Sequence, residues 1–306
     1  MSTSAATDDL TFEGRVVLVT GGASGLGRQY TEDLARAGAH VMVNALGRDT
    51  DRRGEAQSLV EGLSRDGHTV ALVLADVGVE EEAVGTVTRT VETFGRIDAL
   101  VNNAGVGVTG ALQDVTTDQL RTSLEVNLLG TAWTMQAALR HMRAQGHGRI
   151  VNTGSGVGAF GAPGAFPYIT AKAAVFGMTL SAAADNADVD ICVNTVSPIA
   201  YSSMGTGFDQ IDPAFDTERL HARHVSPVVM YLAHERCTMT GQALHAAGGR
   251  VARVFTAMTG GWSGDGLTAT DVAEHLDDIR DASTSFALAS SREQYDHIPR
   301  TAPTPS

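Results

Sequence analysis

Short apolar runs rich in β-branched residues alternate along this chain with longer stretches of helical spacing. The runs are Arg15–Thr20 (RVVLVT), His40–Ala45 (HVMVNA), Thr69–Asp76 (TVALVLAD), Ile97–Asn103 (IDALVNN), Arg149–Ser155 (RIVNTGS) and Val189–Ser197 (VDICVNTVS), with a weaker one near Gln242–Ala246. Helical patterns fill 25–37, 54–66, 80–94, 117–143, 167–184 and 223–234. Continuous apolar strands separated by helices imply a parallel sheet covered on both faces. Right-handed crossovers then give an α/β fold, a doubly wound parallel sheet of Rossmann type flanked by helices. Its ligand crevice is expected at the C-terminal ends of the strands.

No repeat or linker interrupts residues 12–250, so they are expected to form one domain. Within it the stretch near 199–222 lacks periodicity, carries Gly, Ser, Asp and Pro, and follows the sixth strand; it reads as a substrate lid. Residues 1–11 read as a disordered N-terminus, and 251–306 as a C-terminal extension with a tail, in which Thr268 or Thr270 caps a short helix.

The charge balance narrows the partners. Of the 306 residues, 35 are acidic and 22 basic, a formal net charge of −13. That argues against a nucleic-acid or anionic-membrane surface, though not against a local basic pocket for a phosphate. No apolar run approaches the roughly 18–20 residues of a membrane span. The polar, acidic start lacks a signal-peptide pattern, so a cytoplasmic location is expected. Cys192 and Cys237 read as reduced packing thiols. The ten histidines show no HxxxH or HExxH spacing, and no metal site is expected.

Between the first run and the first helical stretch lies TGGASGLG, residues Thr20–Gly27. Glycines there let the chain turn sharply and let a ligand approach the backbone. A helix N-terminus offers unpaired N–H groups and a partial positive charge, which suit a pyrophosphate.

The spacing Thr-Gly-x-x-x-Gly-x-Gly resembles that of the short-chain dehydrogenase/reductase family, and the likeness continues down the chain over roughly residues 12–250. It includes Asp76-Val77 after the third strand, NNAG (Asn102–Gly105) after the fourth, Asn127 in LEVNLLGT, and Ser155 thirteen residues before Tyr168 in YITAK, which ends at Lys172. The resemblance implies a catalytic set of Asn127, Ser155, Tyr168 and Lys172. It also implies a dinucleotide site formed by Gly21, Ser24, Gly25, Leu26, Gly27, Asn44, Ala45, Arg48, Asp76, Val77, Asn103, Ala104, Gly105, Tyr168, Lys172 and Pro198. A narrower likeness, in VNALG (Val43–Gly47), HVSPVVMYLAHERC (His224–Cys237) and the late MTGGWSGDG, is to the dehydrogenase units of peroxisomal multifunctional enzyme type 2 and their bacterial single-domain relatives.

Tyr168 and Lys172 are four apart on a helix and share a face. A free tyrosine titrates near pH 10, and a neighbouring ammonium is expected to lower that by roughly 1–3 units. Tyr168 then serves as base for an alcohol and acid for a ketone. Ser155 polarises the substrate oxygen. The resemblance gives Lys172 a second role on the nicotinamide ribose and has Asn127 hold a water that links Lys172 to solvent.

Two departures matter. Relatives that use NAD usually end the second strand in an acid that bonds the ribose hydroxyls; here that position is Ala45, after Asn44. A 2′-phosphate then escapes repulsion and can pair with Arg48, Arg52 or Arg53. This favours NADP, with NAD as the alternative, served by Asn44. The usual Pro-Gly after the sixth strand is Pro198-Ile199.

The expected function is hydride transfer between a secondary alcohol and a ketone, on a 3-hydroxyacyl thioester. A steroid or polyketide-like ketone is the rival, because Arg219 and Arg223 are the only basic residues near the end of the lid. A non-catalytic cofactor-sensing protein is a third reading, against which Ser155, Tyr168 and Lys172 argue. The partners expected are a small carbonyl or alcohol and further copies of the chain, as a homodimer or homotetramer.

Overall fold

A computed structural model describes residues 10–200, 217–264, 266–288 and 290–298. The chain forms two compact units, one through Arg253 and one from Val254 onward.

The first unit is built on a sheet in the order β3-β2-β1-β4-β5-β6-β7-β8. Its strands are β1 (Val16–Val19), β2 (His40–Ala45), β3 (Val70–Leu74), β4 (Ala99–Asn102), β5 (His147–Thr153), β6 (Asp190–Pro198), β7 (Ala243–Ala247) and β8 (Arg250–Val254). Pairing is parallel from β3 across to β7. The chain winds outward from β1 to β3 and then restarts at β4 on the other side of β1. The crevice expected of a doubly wound sheet therefore opens where β1 and β4 diverge.

Alternation along the strands divides the core in two. Val17, Val19, Val41 and Val43 face one side, with Phe12, Tyr30, Leu34, Val225, Val229 and Leu232. Leu18 and Met42 face the other, with Val87, Ile97, Leu100, Met135, Met142 and Ile150. All four residues of β1 and of β4 are buried, as strands covered on both faces require. The covering helices are α1 (Gly25–Arg36), α2 (Thr50–Arg65), α3 (Glu80–Phe94), α4 (Thr117–Leu124), α5 (Gly130–Gln145), the one-turn α6 (Gly156–Phe160), α7 (Phe166–Asp185) and α8 (Ser226–Ala233).

Several boundaries differ from the sequence expectation. α2 starts four residues early because the Asp49 side chain accepts the N–H groups of Asp51 and Arg52. The single helix expected over 117–143 is interrupted by a π-turn, Glu125–Leu129, which carries Asn127. β8 lies where the C-terminal extension was expected to begin. Gly248 and Gly249, both at positive φ, turn β7 back into it, as a two-residue hairpin demands. In the second unit, β9 (Ala257–Met258) pairs antiparallel with β10 (Phe286–Ala287). There Thr268 caps α9 (Ala269–Glu274) in a capping box with Asp271. α10 (Leu276–Arg280) follows, and Trp262 stacks on His275 with centroids 4.0 Å apart. Most of the expected lid, the first nine residues and the end of the tail lie outside the described residues.

A buried polar chain fastens α7 to the sheet. The Thr134 hydroxyl donates to Asn102 Oδ1 (2.7 Å), Asn102 Nδ2 donates to Asn152 Oδ1 (3.0 Å), and Asn152 Nδ2 donates to Thr179 Oγ1 (3.0 Å), which shares a bond with Thr195 Oγ1 at 2.8 Å. Cutting this chain strands buried donors and acceptors. Asn152→Ala is expected to cost about 1–3 kcal/mol of stability, read as a lower urea midpoint at unchanged slope; an unmoved midpoint would show that the chain does not fasten the helix.

Candidate active site

The glycine bend is shaped first by the protein itself. Gly21 and Gly25 have φ of +59° and +52°, a region that side chains resist. At Gly27 an added Cβ would stand 2.2 Å from the Gly21 carbonyl oxygen and 2.5 Å from Asn103 Nδ2. What excludes a side chain at Gly27 is therefore first the bend's own Gly21 carbonyl and then Asn103 in the turn after β4. Asn103 Nδ2 donates to the carbonyls of Thr20 (3.0 Å) and Gly21 (3.2 Å), while Thr20 Oγ1 accepts the N–H groups of Asn103 (3.0 Å) and Ala104 (3.1 Å).

With its underside closed in this way, the bend delivers the start of α1 to the crevice. Ser24 caps α1 without a side-chain bond to it and is exposed, and no acidic residue sits in the first turn. The N–H groups of Gly25, Leu26 and Gly27 lie in that first turn, where helix donors lack partners and the dipole is positive. The residues present fit a dinucleotide pyrophosphate.

The adenosine end departs from expectation at Asn44. Its Oδ1 accepts the Gly21 N–H (3.3 Å), its Nδ2 donates to the Ala75 carbonyl (3.1 Å), and its own carbonyl accepts the Gly22 N–H (2.9 Å). Asn44 is buried, and both ends of its side chain bond inward, so it braces the bend. Ala45 ends β2, buried, with no acid to offer. Arg48 is ion-paired to Asp76, whose other oxygen accepts the Gly78 N–H at 2.9 Å. Val77 is buried, and its carbonyl packs so close to Gly130 that a Cβ there would come within 2.6 Å.

The expected catalytic residues converge at the C-terminal end of β5. Ser155 is the N-cap of α6. Tyr168 and Lys172 stand one turn apart on α7, with Lys172 Nζ 5.7 Å from the Tyr168 ring centre. Lys172 is 3% exposed and donates to the Thr153 carbonyl at 2.7 Å. Gly105 lies beside both Asn127 and Lys172: a Cβ there would be 2.7 Å from Asn127 Oδ1 and 3.7 Å from Lys172 Nζ. Pro198 closes β6, and the next N–H, of Ile199, donates to the Ala246 carbonyl at 3.0 Å.

The Asn127 side chain is fully engaged. Its Oδ1 accepts the Val106 N–H (3.1 Å), and its Nδ2 donates to the Val106 carbonyl (2.9 Å) and to Ser123 Oγ (3.3 Å). The geometry makes it a clamp on the loop after β4.

The electrostatics also correct the expectation for Tyr168. Burial pushes its hydroxyl above the ordinary tyrosine range, and a hydrogen bond from Ser155 opposes the rise. The ammonium was expected to win this contest; beside the ring and bonded to Thr153, it does not. Burial lowers Lys172 itself to about 8. The pocket thus penalises either charge alone.

Three contributors were not read from the sequence: Thr153, Val106 and Gly158. The first two act through the backbone, which any residue supplies. A Cβ on Gly158 would meet the Ala173 nitrogen and the Lys172 backbone at 2.9 Å, so only glycine lets α6 lie against α7 there. Among the described residues no cluster of His, Cys, Asp or Glu is placed to hold a metal, and no helix is long and apolar enough to cross a membrane.

Comparison with known proteins agrees with this geometry. The model of the short chain dehydrogenase family matches residues 15–208. The (2S)-[(R)-hydroxy(phenyl)methyl]succinyl-CoA dehydrogenase subunit BbsD of Thauera aromatica is 36% identical over 246 residues, 78% of this chain and 97% of that protein. Mouse peroxisomal multifunctional enzyme type 2 is 34% identical over 80% of this chain, which spans only 33% of that enzyme. A short chain dehydrogenase from Mycobacterium avium superposes with a TM-score of 0.79 at 28% identity, over 88% of this chain and 97% of the other. One from Burkholderia cenocepacia, solved in complex with NADP, gives 0.69 at 31% identity, over 78% and 98%. With this fold, this bend and a family match over most of the sheet, the chain belongs to the short-chain dehydrogenase family of NAD(P)-dependent oxidoreductases.

Proposed function

We propose that this enzyme interconverts a secondary alcohol and a ketone, with Tyr168 as acid and base, Ser155 as the hydrogen-bond donor to the substrate oxygen, and NADP(H), with NAD(H) as the alternative, as cofactor. The observation that carries the reading is the meeting of Ser155, Tyr168 and buried Lys172 at the end of β5. The cofactor, when bound, supplies or accepts a hydride. Gly21, Ser24 and the first turn of α1 would hold its pyrophosphate, Arg48 a 2′-phosphate, and Asp76, Val77, Ala104 and Gly105 its flanks. In the oxidative direction Tyr168 Oη takes the alcohol proton; in the reductive direction it returns it. Lys172 holds positive charge beside the phenolate, and Asn127 fixes the loop that carries Val106.

For substrate, we favour a 3-hydroxyacyl thioester. Support comes from a relative named for a hydroxy(phenyl)methylsuccinyl-CoA, whose hydroxyl lies on the carbon attached to the succinyl chain. A bulky neutral ketone is the second reading. It is favoured by the shell: apart from Tyr168, residues 103–113 and 154–171 carry no ionisable side chain, and Leu112 and Phe160 are 64% and 77% exposed. Assembly as a homodimer or homotetramer is the arrangement we take from family likeness.

Tyr168→Phe is expected to lower kcat/KM by about 10²–10⁴-fold while cofactor binding, followed by fluorescence, is retained. Turnover that survives this change would remove Tyr168 from the chemistry.

The pH dependence follows from the pair. Lys172 titrates near 8, and Tyr168 is raised above its ordinary value. The pair as a whole therefore gives up its first proton near pH 8, whether the resulting form is written phenol and amine or phenolate and ammonium. Alcohol oxidation needs the form with one proton gone, so its rate should climb through about pH 8; ketone reduction needs the fully protonated form and should fall over the same range. Lys172→Met should move the oxidative limb to higher pH. A limb unchanged in that variant would show that the pair does not titrate as a unit.

A further inference from the structure

The geometry points to Asp76 as a residue that sets cofactor preference through Arg48: it holds the adenosine end near electrical neutrality, so that dinucleotides with and without a 2′-phosphate bind with similar affinity. This rests on the reading that Arg48 meets the 2′-phosphate.

The contact is prepared by the strands. β2 and β3 are parallel neighbours, with Asn44 opposite Val73 and Ala45 opposite Leu74. Their following loops therefore leave the sheet side by side. Gly47 sits directly on Leu74, where a Cβ would be 3.0 Å from that side chain, and this carries the β2 loop across the end of β3. Arg48 arrives over Asp76, and the two form an ion pair.

The partners are unequal. Arg48 is 71% exposed, whereas Asp76 is 12% exposed and pinned: its Oδ1 accepts the Gly78 N–H at 2.9 Å and its own N–H donates to Glu82 at 2.6 Å. The acid is a fixed feature of the site, and the arginine is the movable partner. A phosphate that approaches Arg48 must share its guanidinium with Asp76, with Glu82 close behind. The four further charges on the same loop and helix start largely cancel, since Arg52 pairs with Asp49 at 3.4 Å and Asp51 and Arg53 are of opposite sign.

Two opposed effects follow from the ion pair. Holding one edge of the guanidinium orients the other edge for phosphate, which helps binding. Placing a carboxylate one guanidinium width from a dianion opposes it. The side chain that would be ordered is exposed and single, whereas the repulsion acts on both phosphate charges, so the repulsion wins. Because Ala45 offers no carboxylate to ribose hydroxyls, the unphosphorylated dinucleotide gains no compensating advantage from β2.

The test is direct titration of the full chain with NADPH and with NADH, followed by nicotinamide fluorescence. Asp76→Asn removes the charge but keeps an oxygen for the Gly78 N–H, and contacts common to both cofactors cancel in the ratio of dissociation constants. The expected result is a ratio in the unaltered chain within about tenfold of unity, and a shift toward NADPH in Asp76→Asn by about tenfold, shrinking as salt is raised. A ratio that stays put or moves toward NADH in that variant, with its thermal melt intact, overturns the role of Asp76; Asp76→Ser repeats the test if the first variant melts early. Arg48→Ala separates the two levels. If it leaves the ratio unchanged, the 2′-phosphate reading at Arg48 fails, and the Asp76 inference falls with it. If it shifts the ratio toward NADH while Asp76→Asn does nothing, only the Asp76 inference fails.

Discussion

At the crevice β1 and β4 end side by side, and Thr20 and Asn103 exchange side-chain and backbone hydrogen bonds there. The winding of the sheet reverses at this point, so no crossover helix covers the two turns. Their backbone groups must be satisfied by each other or by a ligand. Thr20 and Asn103 satisfy the inner set: their amide and hydroxyl replace what a continued ladder would have supplied. The outer set, the first turn of α1, is left for an anion. Asn44 repeats the device from β2, tying Gly21 to the end of β3 through Ala75. Four strand ends are thus fixed relative to one another before a ligand arrives.

The catalytic side is organised by a second constraint, the burial of Lys172. An ammonium taken out of water and given one carbonyl is under-solvated, which is why its pKa falls to about 8. The same low-dielectric surroundings raise Tyr168. Neither residue holds its charge comfortably alone, and that makes the charged pair the natural product of moving one proton between them and substrate. α7, which carries this buried ammonium, is fastened to the sheet by the Asn102–Asn152–Thr179–Thr195 chain.

The parallel sheet and most helices were legible from pattern: unbroken apolar runs mark strands covered on both faces, as β1 with four buried residues in a row shows, and helical spacing marks what lies between. The meeting of Ser155, Tyr168 and Lys172 was legible because their spacing is fixed by one loop and one helical turn. The bracing role of Asn44 was not legible, because an amide on a strand end looks the same whether or not it bonds the bend; only the positions of Gly21 and Ala75 reveal it. The shift on Tyr168 was misjudged because sequence supplies the neighbouring cation but not the depth of the pocket. β8 escaped because the alternation in RVARV is short and half exposed, and only the Gly248-Gly249 turn announces it.

The π-turn at Asn127 joins the two halves of the site. A regular helix from Thr117 to Gln145 would carry the residues after the turn around the axis differently from those before it. The wider i→i+5 step gives the helix one more residue at this point. Asn127, at its centre, faces the loop after β4 and grips both polar groups of Val106. That grip holds Gly105 between Asn127 and Lys172, a space too small for any Cβ. Gly105 follows directly on Asn103 and Ala104, which are tied to the glycine bend through Thr20. One stretch of five residues, from Asn102 to Val106, therefore touches the α7 fastening, the bend, Lys172 and Asn127 in turn. The glycine bend and the buried lysine are therefore held in place by one short, continuous stretch of backbone.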